Sequence, residues 1–216
     1  MTARTGDSTE REHWWSWAES ERDVNARRRH AAQLAGERIH EVVYYTLDYR
    51  REPLHPEWLG SGPRTIESET EWSEPLWRCA DFDTLDHGLE LHTESGRKYS
   101  LTWDPTGDHE GIGLRRAPML GSVLVPDADV ALWQVGRRTD LWRPFMDRPL
   151  TAVELHYFPD STMFGGFRCP RISFHAGNDH LDIVLGDGDD DGLGYSADNI
   201  AVLHPGTPVP PWGYGP

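Results

Sequence analysis

Lysine is nearly missing from this chain, cysteine is scarce, and long apolar runs are absent. Lys98 is the only lysine, so arginine supplies the rest of the 21 basic residues. Arginine codons can be GC-rich and lysine codons cannot, which points to a GC-rich bacterial source. Cys79 and Cys169 are the only cysteines; they lie far apart and match no metal-ligand spacing. Two cysteines in a chain of this type are expected to stay reduced. No run approaches the roughly 20 apolar residues of a membrane-spanning helix. The first residues, "MTARTGDSTEREHWW", contain no apolar core of a secretory signal. The expectation is therefore a cytoplasmic protein with no membrane partner.

Catalytic motifs are missing too. There is no G-x-S-x-G elbow, no P-loop, no G-x-G-x-x-G opening a helix and no cysteine nucleophile signature. Bases are too few to balance the acids: 36 Asp and Glu stand against 21 Arg and Lys, a formal charge of −15. A field of that sign repels phosphate backbones and anionic lipid, which excludes nucleic acid and membrane surfaces as natural partners. It favours a basic protein, a basic peptide or a cation.

The chain is 216 residues long, enough for one domain with a core that needs no staples. Only 37 % of it is apolar, and ten tryptophans carry an unusual part of that share. Residues 1–8 read as disordered. Thr9 and Glu12 have capping-box spacing, and a helix is expected over 9–36, ending at Gly36. From 37 to 204 the pattern is mostly period two, rich in β-branched and aromatic residues. Strands are expected at 38–49, 75–82, 112–117, 151–158, 171–176, 181–186 and 199–204. A hairpin is expected over 88–103 around Glu94-Ser95-Gly96. Residues 51–75 read as a long loop and 139–149 as a short helical turn. The tail from 205 to 216 is too proline-rich for sheet and reads as extended polyproline II or disordered. Together these predict an α+β fold: an N-terminal helix on one mainly antiparallel β-sheet, followed by a Pro-rich tail.

The most specific stretch is "GDGDDDGLGYSAD", residues 186–198. Counting from Asp187, the spacing resembles an EF-hand calcium loop: Asp187, Asp189, Asp191, glycine at position six, the Leu193 carbonyl at seven and Asp198 at twelve. Calcium needs six to eight hard oxygens, and alternating aspartates on a turning backbone can supply them. Asp198 is a methylene shorter than the usual glutamate, Gly194 replaces an apolar residue, and both flanks read as strands. The expectation is a Ca2+ loop closing a β-hairpin, set against a solvated acidic turn.

"HWWSW" places Trp14, Trp15 and Trp17 within one helical turn, where they cannot all face one narrow core. With Trp212 and Tyr214 of the tail, they are candidate partner-binding anchors. His92, His156 and His175 end similar strand openings, with Glu90 and Glu154 at i−2. If those strands are neighbours, the histidines and carboxylates could form a metal or acid–base site. The reading that composition favours is a non-catalytic bacterial binding protein, of an immunity-type or other inhibitory kind, acting on a basic protein. A calcium-stabilised domain and an enzyme with a His/carboxylate site are the alternatives.

Overall fold

The structure is a computed structural model that describes residues 16–49, 62–104, 110–160, 165–189 and 192–214. The strands, in chain order, are β1 (Trp17–Ala18), β2 (Ile39–Leu47), β3 (Arg64–Thr65), β4 (Phe82–Leu85), β5 (Gly88–Thr93), β6 (Lys98–Trp103) and β7 (Ile112–Arg115). There follow β8 (Val130–Gln134), β9 (Ala152–Pro159), β10 (Phe167–Ala176), β11 (Asp179–Leu185), β12 (Asp187–Asp189), β13 (Gly192–Gly194) and β14 (Ile200–Leu203). Three helices accompany them: α1 (Glu21–Ala31), α2 (Glu69–Ser73) and α3 (Arg143–Asp147).

The expected single sheet is two six-stranded sheets, with β12 and β13 as a separate two-stranded pair. The first has the order β3-β8-β2-β5-β6-β7, antiparallel except where β3 runs parallel to β8. The second is built on β10, which pairs with β9 on one edge and with β1 and β11 on the other; β14 and β4 complete it. One apolar core joins them. Val42, Tyr44, Leu89, Leu91 and Leu101 from the first sheet belong to the same cluster as Leu155, Ile172, Phe174, Ile183 and Val202 from the second. Mostly sheet with a few short helices, the molecule is a two-layer arrangement whose strands alternate inward and outward residues.

The outer faces are partly covered as well. Val43 and Tyr45 on β2 pack with Met119 and Val130. That explains why residues 42–46 are buried without a break where alternation was expected. On the second sheet, Phe82, Val184, Ala201 and Leu203 pack under Cys79, Leu193 and Val209.

The N-terminal helix is shorter than expected. Residues 9–15, with the Thr9–Glu12 box, lie outside the described residues. Trp17 and Ala18 are extended, paired with Arg168 and Phe167. The helix starts at Ser20, whose Oγ accepts from the Asp23 amide at 3.3 Å. Glu21 and Asp23 sit in its first turn and Arg28, Arg29 and His30 in its last, each sign matching the helix dipole. Gly36 reverses the chain at φ +88°, a conformation that only glycine takes without strain.

The 88–103 hairpin and the strands expected near 38–49, 112–117, 151–158, 171–176, 181–186 and 199–204 are all present. The strand expected at 75–82 starts later, at Phe82. The expected loop contains β3 and α2, and β8 was not anticipated. Pro170 sits where the β9–β10 register shifts, between Arg168 and Arg171, a place where a missing amide costs no ladder bond. The tail is not extended throughout: Pro211–Tyr214 form a 3-10 turn, and Trp212 Nε1 donates to the Leu185 carbonyl at 2.7 Å. Both cysteines are free, as expected. Among the described residues, no helix is long and apolar enough to cross a membrane.

One buried polar network links the two sheets. Tyr44 on β2 donates to Asp83 Oδ2 on β4 at 2.9 Å, and Trp142 Nε1 donates to the Tyr44 hydroxyl at 2.8 Å. His204 faces the other Asp83 oxygen at 3.0 Å through Nε2 and the Ala80 carbonyl at 3.2 Å through Nδ1. Both ring nitrogens meet acceptors, so the imidazolium form satisfies the site and the neutral ring does not. The hydrogen bond to Asp83 is the main cause of the raised His204 pKa. A raised histidine pKa adds stability that is complete below the unfolded value of about 6.5 and is lost as pH rises through the folded value. Chemical denaturation of wild type and His204→Gln across a pH series should show the wild-type advantage shrinking from about pH 6 upward. An advantage that stays constant with pH would show that His204 is not held as the cation.

Candidate functional site

A cleft of about 360 Å³ opens where the ends of β2 and β8 meet β3, β4 and β12. Five carboxylates line it: Asp48, Glu71, Glu74, Asp86 and Asp187. Among the described residues of its lining, Arg64 is the one base. Trp77 and Trp133 contribute aromatic surface, and Leu47, Tyr49 and Leu76 lie at its border. Leu76 is 71 % exposed and Tyr49 43 %, although both are large apolar side chains.

Local structure explains how these side chains converge. Gly62 precedes β3 and its amide donates to Asp129 Oδ1 at 3.2 Å. Pairing of β3 with β8 then sets Arg64 opposite Ala131. From there the guanidinium makes a two-point bond to Asp48, Nε at 2.9 Å and NH2 at 2.7 Å. Its remaining nitrogen reaches both oxygens of Glu71, at 3.0 and 3.2 Å. The planar fork suits two carboxylates at once, and this is why the position is arginine. The two carboxylates, led by the hydrogen bond that Arg64 donates to Asp48, push the Arg64 pKa further up.

Asp86 accepts from the Leu47 amide at 2.9 Å and from the Tyr49 hydroxyl, so it shapes the chain leaving β2. Asp187 accepts from Thr84 Oγ1 at 2.7 Å and from the Gly188 amide at 2.8 Å. Glu74 is exposed and lines the cleft.

Trp77 and Trp133 of the cleft wall form an aromatic triangle with Trp72. Trp72, Trp77 and Trp133 meet edge to face, with ring centroids 5.2 to 6.2 Å apart. Trp72 Nε1 donates to the Ile66 carbonyl and Trp133 Nε1 to Thr46 Oγ1. Trp77 differs: its Nε1 is buried and has no hydrogen-bond partner. The other six described tryptophans, Trp17, Trp72, Trp103, Trp133, Trp142 and Trp212, each place Nε1–H on an acceptor. A buried donor without an acceptor costs on the order of 1–3 kcal/mol.

The sequence-predicted candidates fall elsewhere, with one exception. Asp187 lies in this cleft. The acidic stretch does close a hairpin: Asp187 pairs with Gly194, Gly188 with Leu193 and Asp189 with Gly192. Leu193 packs its side chain on the outer face of the second sheet, and Asp198 is exposed. Asp191 and the Asp189 side chain lie outside what is described. Gly188 has a packing role of its own: a Cβ there would stand 3.0 Å from Cys79 Sγ and 3.1 Å from Phe82. Among the described residues, no three His, Cys, Asp or Glu are arranged to hold a metal ion.

Trp14 and Trp15 lie outside the described residues. Trp17 Nε1 donates to the Gly165 carbonyl, and Trp212 is bound to Leu185, so both indoles are engaged within the chain. Tyr214 is exposed, with the Arg171 guanidinium 4.9 Å from its ring centre. The three-histidine grouping does not form. His92 is on the first sheet beside Glu90, while His156 and His175 share the outer face of the second. β9 and β10, which carry His156 and His175, are paired, but β5, which carries His92, belongs to the other sheet.

Sequence reading missed the cleft because its walls come from residues 46–49, 64–77, 84–86, 131–133 and 187–188. One signal was present: "IESETEWSEPLW" crowds Glu67, Glu69, Glu71 and Glu74 around two tryptophans. Acids interleaved with large aromatics are unusual in a passive loop. Comparison of the chain with protein-family models, with curated proteins and with solved structures finds no match in any of the three.

Replacing Arg64 with Met leaves Asp48 and Glu71, only 3 % and 8 % exposed, without their cation. About a third of Arg64 faces water, so the expected loss is about 2 kcal/mol, below the range for a fully buried pair. Urea unfolding at neutral pH measures it. A loss under a few tenths of a kcal/mol would show that the pair organises nothing.

Proposed function

We propose that this chain is a non-catalytic binding protein that takes a basic segment of a protein partner into the acidic cleft. The observation that carries this reading is the lining itself: among the described residues, five carboxylates, one arginine and two tryptophans. The chemistry of each part fits a peptide chain. An arginine or lysine side chain meets the carboxylates, with Glu74 free to pair. Indole faces beside the acids favour a cation further. Exposed Leu47, Tyr49 and Leu76 give the apolar contacts that anchor an interface.

The charge of the whole chain serves the same end. A net −15 steers a basic partner toward the cleft and repels anionic competitors. An inhibitory, immunity-type protein bound to a basic partner in the bacterial cytoplasm is the role most consistent with these features.

The test uses an arginine-rich oligopeptide as probe and tryptophan fluorescence as readout, since Trp77 and Trp133 line the cleft. The peptide should bind, and binding should weaken steeply with added salt. Glu74→Lys with Leu76→Ser should weaken it severalfold; both positions are exposed, so the fold is retained. A glutamate-rich peptide should not bind. Equal binding of the arginine peptide to wild type and the double variant would refute the assignment of this cleft.

A further inference from the structure

The outer face of the second sheet holds a chain of hydrogen bonds whose direction is fixed. Arg171 on β10 places NH2 3.1 Å from Nδ1 of His156 on β9. A guanidinium only donates, so Nδ1 is the acceptor and carries no proton. The ring is therefore neutral, with its hydrogen on Nε2, 2.7 Å from Ser173 Oγ. Ser173 in turn donates to Asp182 on β11. The strand register brings these groups together: His156 is opposite Arg171, and Ser173 is opposite both Glu154 and Asp182.

Arg171 has a second contact, with the tail. Its guanidinium lies 4.9 Å from the Tyr214 ring centre. A Cβ at Gly213 would stand 3.9 Å from Arg171 Cδ, so the turn at 211–214 rests on the arginine stem. Arg171 and Tyr214 also border one cleft of about 460 Å³ on this face. One side chain thus connects His156 to the turn.

That connection requires a neutral ring. A proton on Nδ1 would set two donors and two positive charges against each other at hydrogen-bonding distance. His156 is tied to Ser173, whereas Arg171 Nε is buried with no hydrogen-bond partner and gains hydration by moving outward. The arginine is therefore the group that leaves. Other charges also face His156. Arg28 on α1 adds a positive charge, and Glu154, 3.9 Å from Nε2, and Asp182 favour the proton. Burial first and Arg171 second outweigh the two carboxylates, and the His156 pKa is lowered. Once Arg171 has left, the carboxylates remain and hold the imidazolium. His175 and His180 lie on the same face, 3.7 Å from Glu154 and 3.9 Å from Asp182 respectively.

We propose that His156 is an acid-operated latch for the 211–214 turn: its protonation drives Arg171 off the ring, and the turn loses its seat on β10. A histidine held neutral supports the docked turn fully above the ordinary value of about 6.5, and that support is lost as pH falls below it. The sign is opposite to that of His204, whose contribution is lost as pH rises. The latch is independent of the acidic cleft, which shares no residue with this face.

The test is NMR of the full chain between about pH 7.5 and about pH 5. Imidazole Cε1–H signals follow the His156 titration. Hydrogen exchange of the Trp212 indole, corrected for the rate of free tryptophan, reports the turn, because that N–H is bound to the Leu185 carbonyl. Trp212 protection should fall severalfold, with the midpoint of His156 and below about pH 6.5. The indole of Trp142, which is fully buried in the core, should stay protected. His156→Gln, whose amide oxygen accepts from Arg171 at any pH, should make Trp212 protection constant. Arg171→Met should raise the His156 midpoint and uncouple it from Trp212. Replacing both His175 and His180 with Asn should leave the transition in place, as should His204→Gln. Trp212 protection that does not change with pH, a loss that His156→Gln leaves intact, or an equal loss at Trp142 overturns the proposal.

Discussion

The arrangement of this molecule depends on one buried carboxylate. Asp83 lies on the second sheet and receives the Tyr44 hydroxyl from the first, with His204 on its other oxygen. Apolar packing between sheets is non-directional and would tolerate sliding. A satisfied polar link inside such a core is directional, and it sets where β2 stands over β4. Trp142 extends the link by donating to the Tyr44 oxygen, which brings the segment before α3 onto the same point.

That placement makes the acidic cleft. Thr46 and Leu47 follow Tyr44 along β2, with Asp48 just past its end, and Thr84 follows Asp83 along β4. Thr84 then holds Asp187, so the acidic hairpin becomes part of the wall. Arg64 and Asp86 complete the order by binding the chain at Asp48 and Leu47. The carboxylates of the cleft are thus tied into the structure, apart from Glu74. A cleft held this way presents charge without having to reorganise when a cation arrives, and preorganisation of this kind lowers the cost of binding.

The cleft at the end of the sheets offers hard oxygens and aromatic faces. It depends on strand pairing and not on a local motif. That is the physical reason why a search for contiguous motifs along the chain finds only the acidic stretch at 186–198.

Much of the fold was legible in the sequence where local physics decides it. The 88–103 hairpin, the strands at 38–49 and 151–158, and the reversal at Gly36 follow from period-two patterning and from glycine's access to positive φ. Net charge and the scarcity of lysine are likewise properties of the chain alone. The extended path of Trp17 and Ala18 was not legible, because it arises from pairing with β10, some 150 residues later. The same holds for the docked tail, whose Trp212 needs the Leu185 carbonyl as its acceptor. The division into two sheets, the separation of His92 from His156 and His175, and the gathering of five carboxylates around Arg64 were decided by tertiary structure. Composition and periodicity specify which faces are apolar; only the pairing of distant strands specifies which polar side chains those faces bring together.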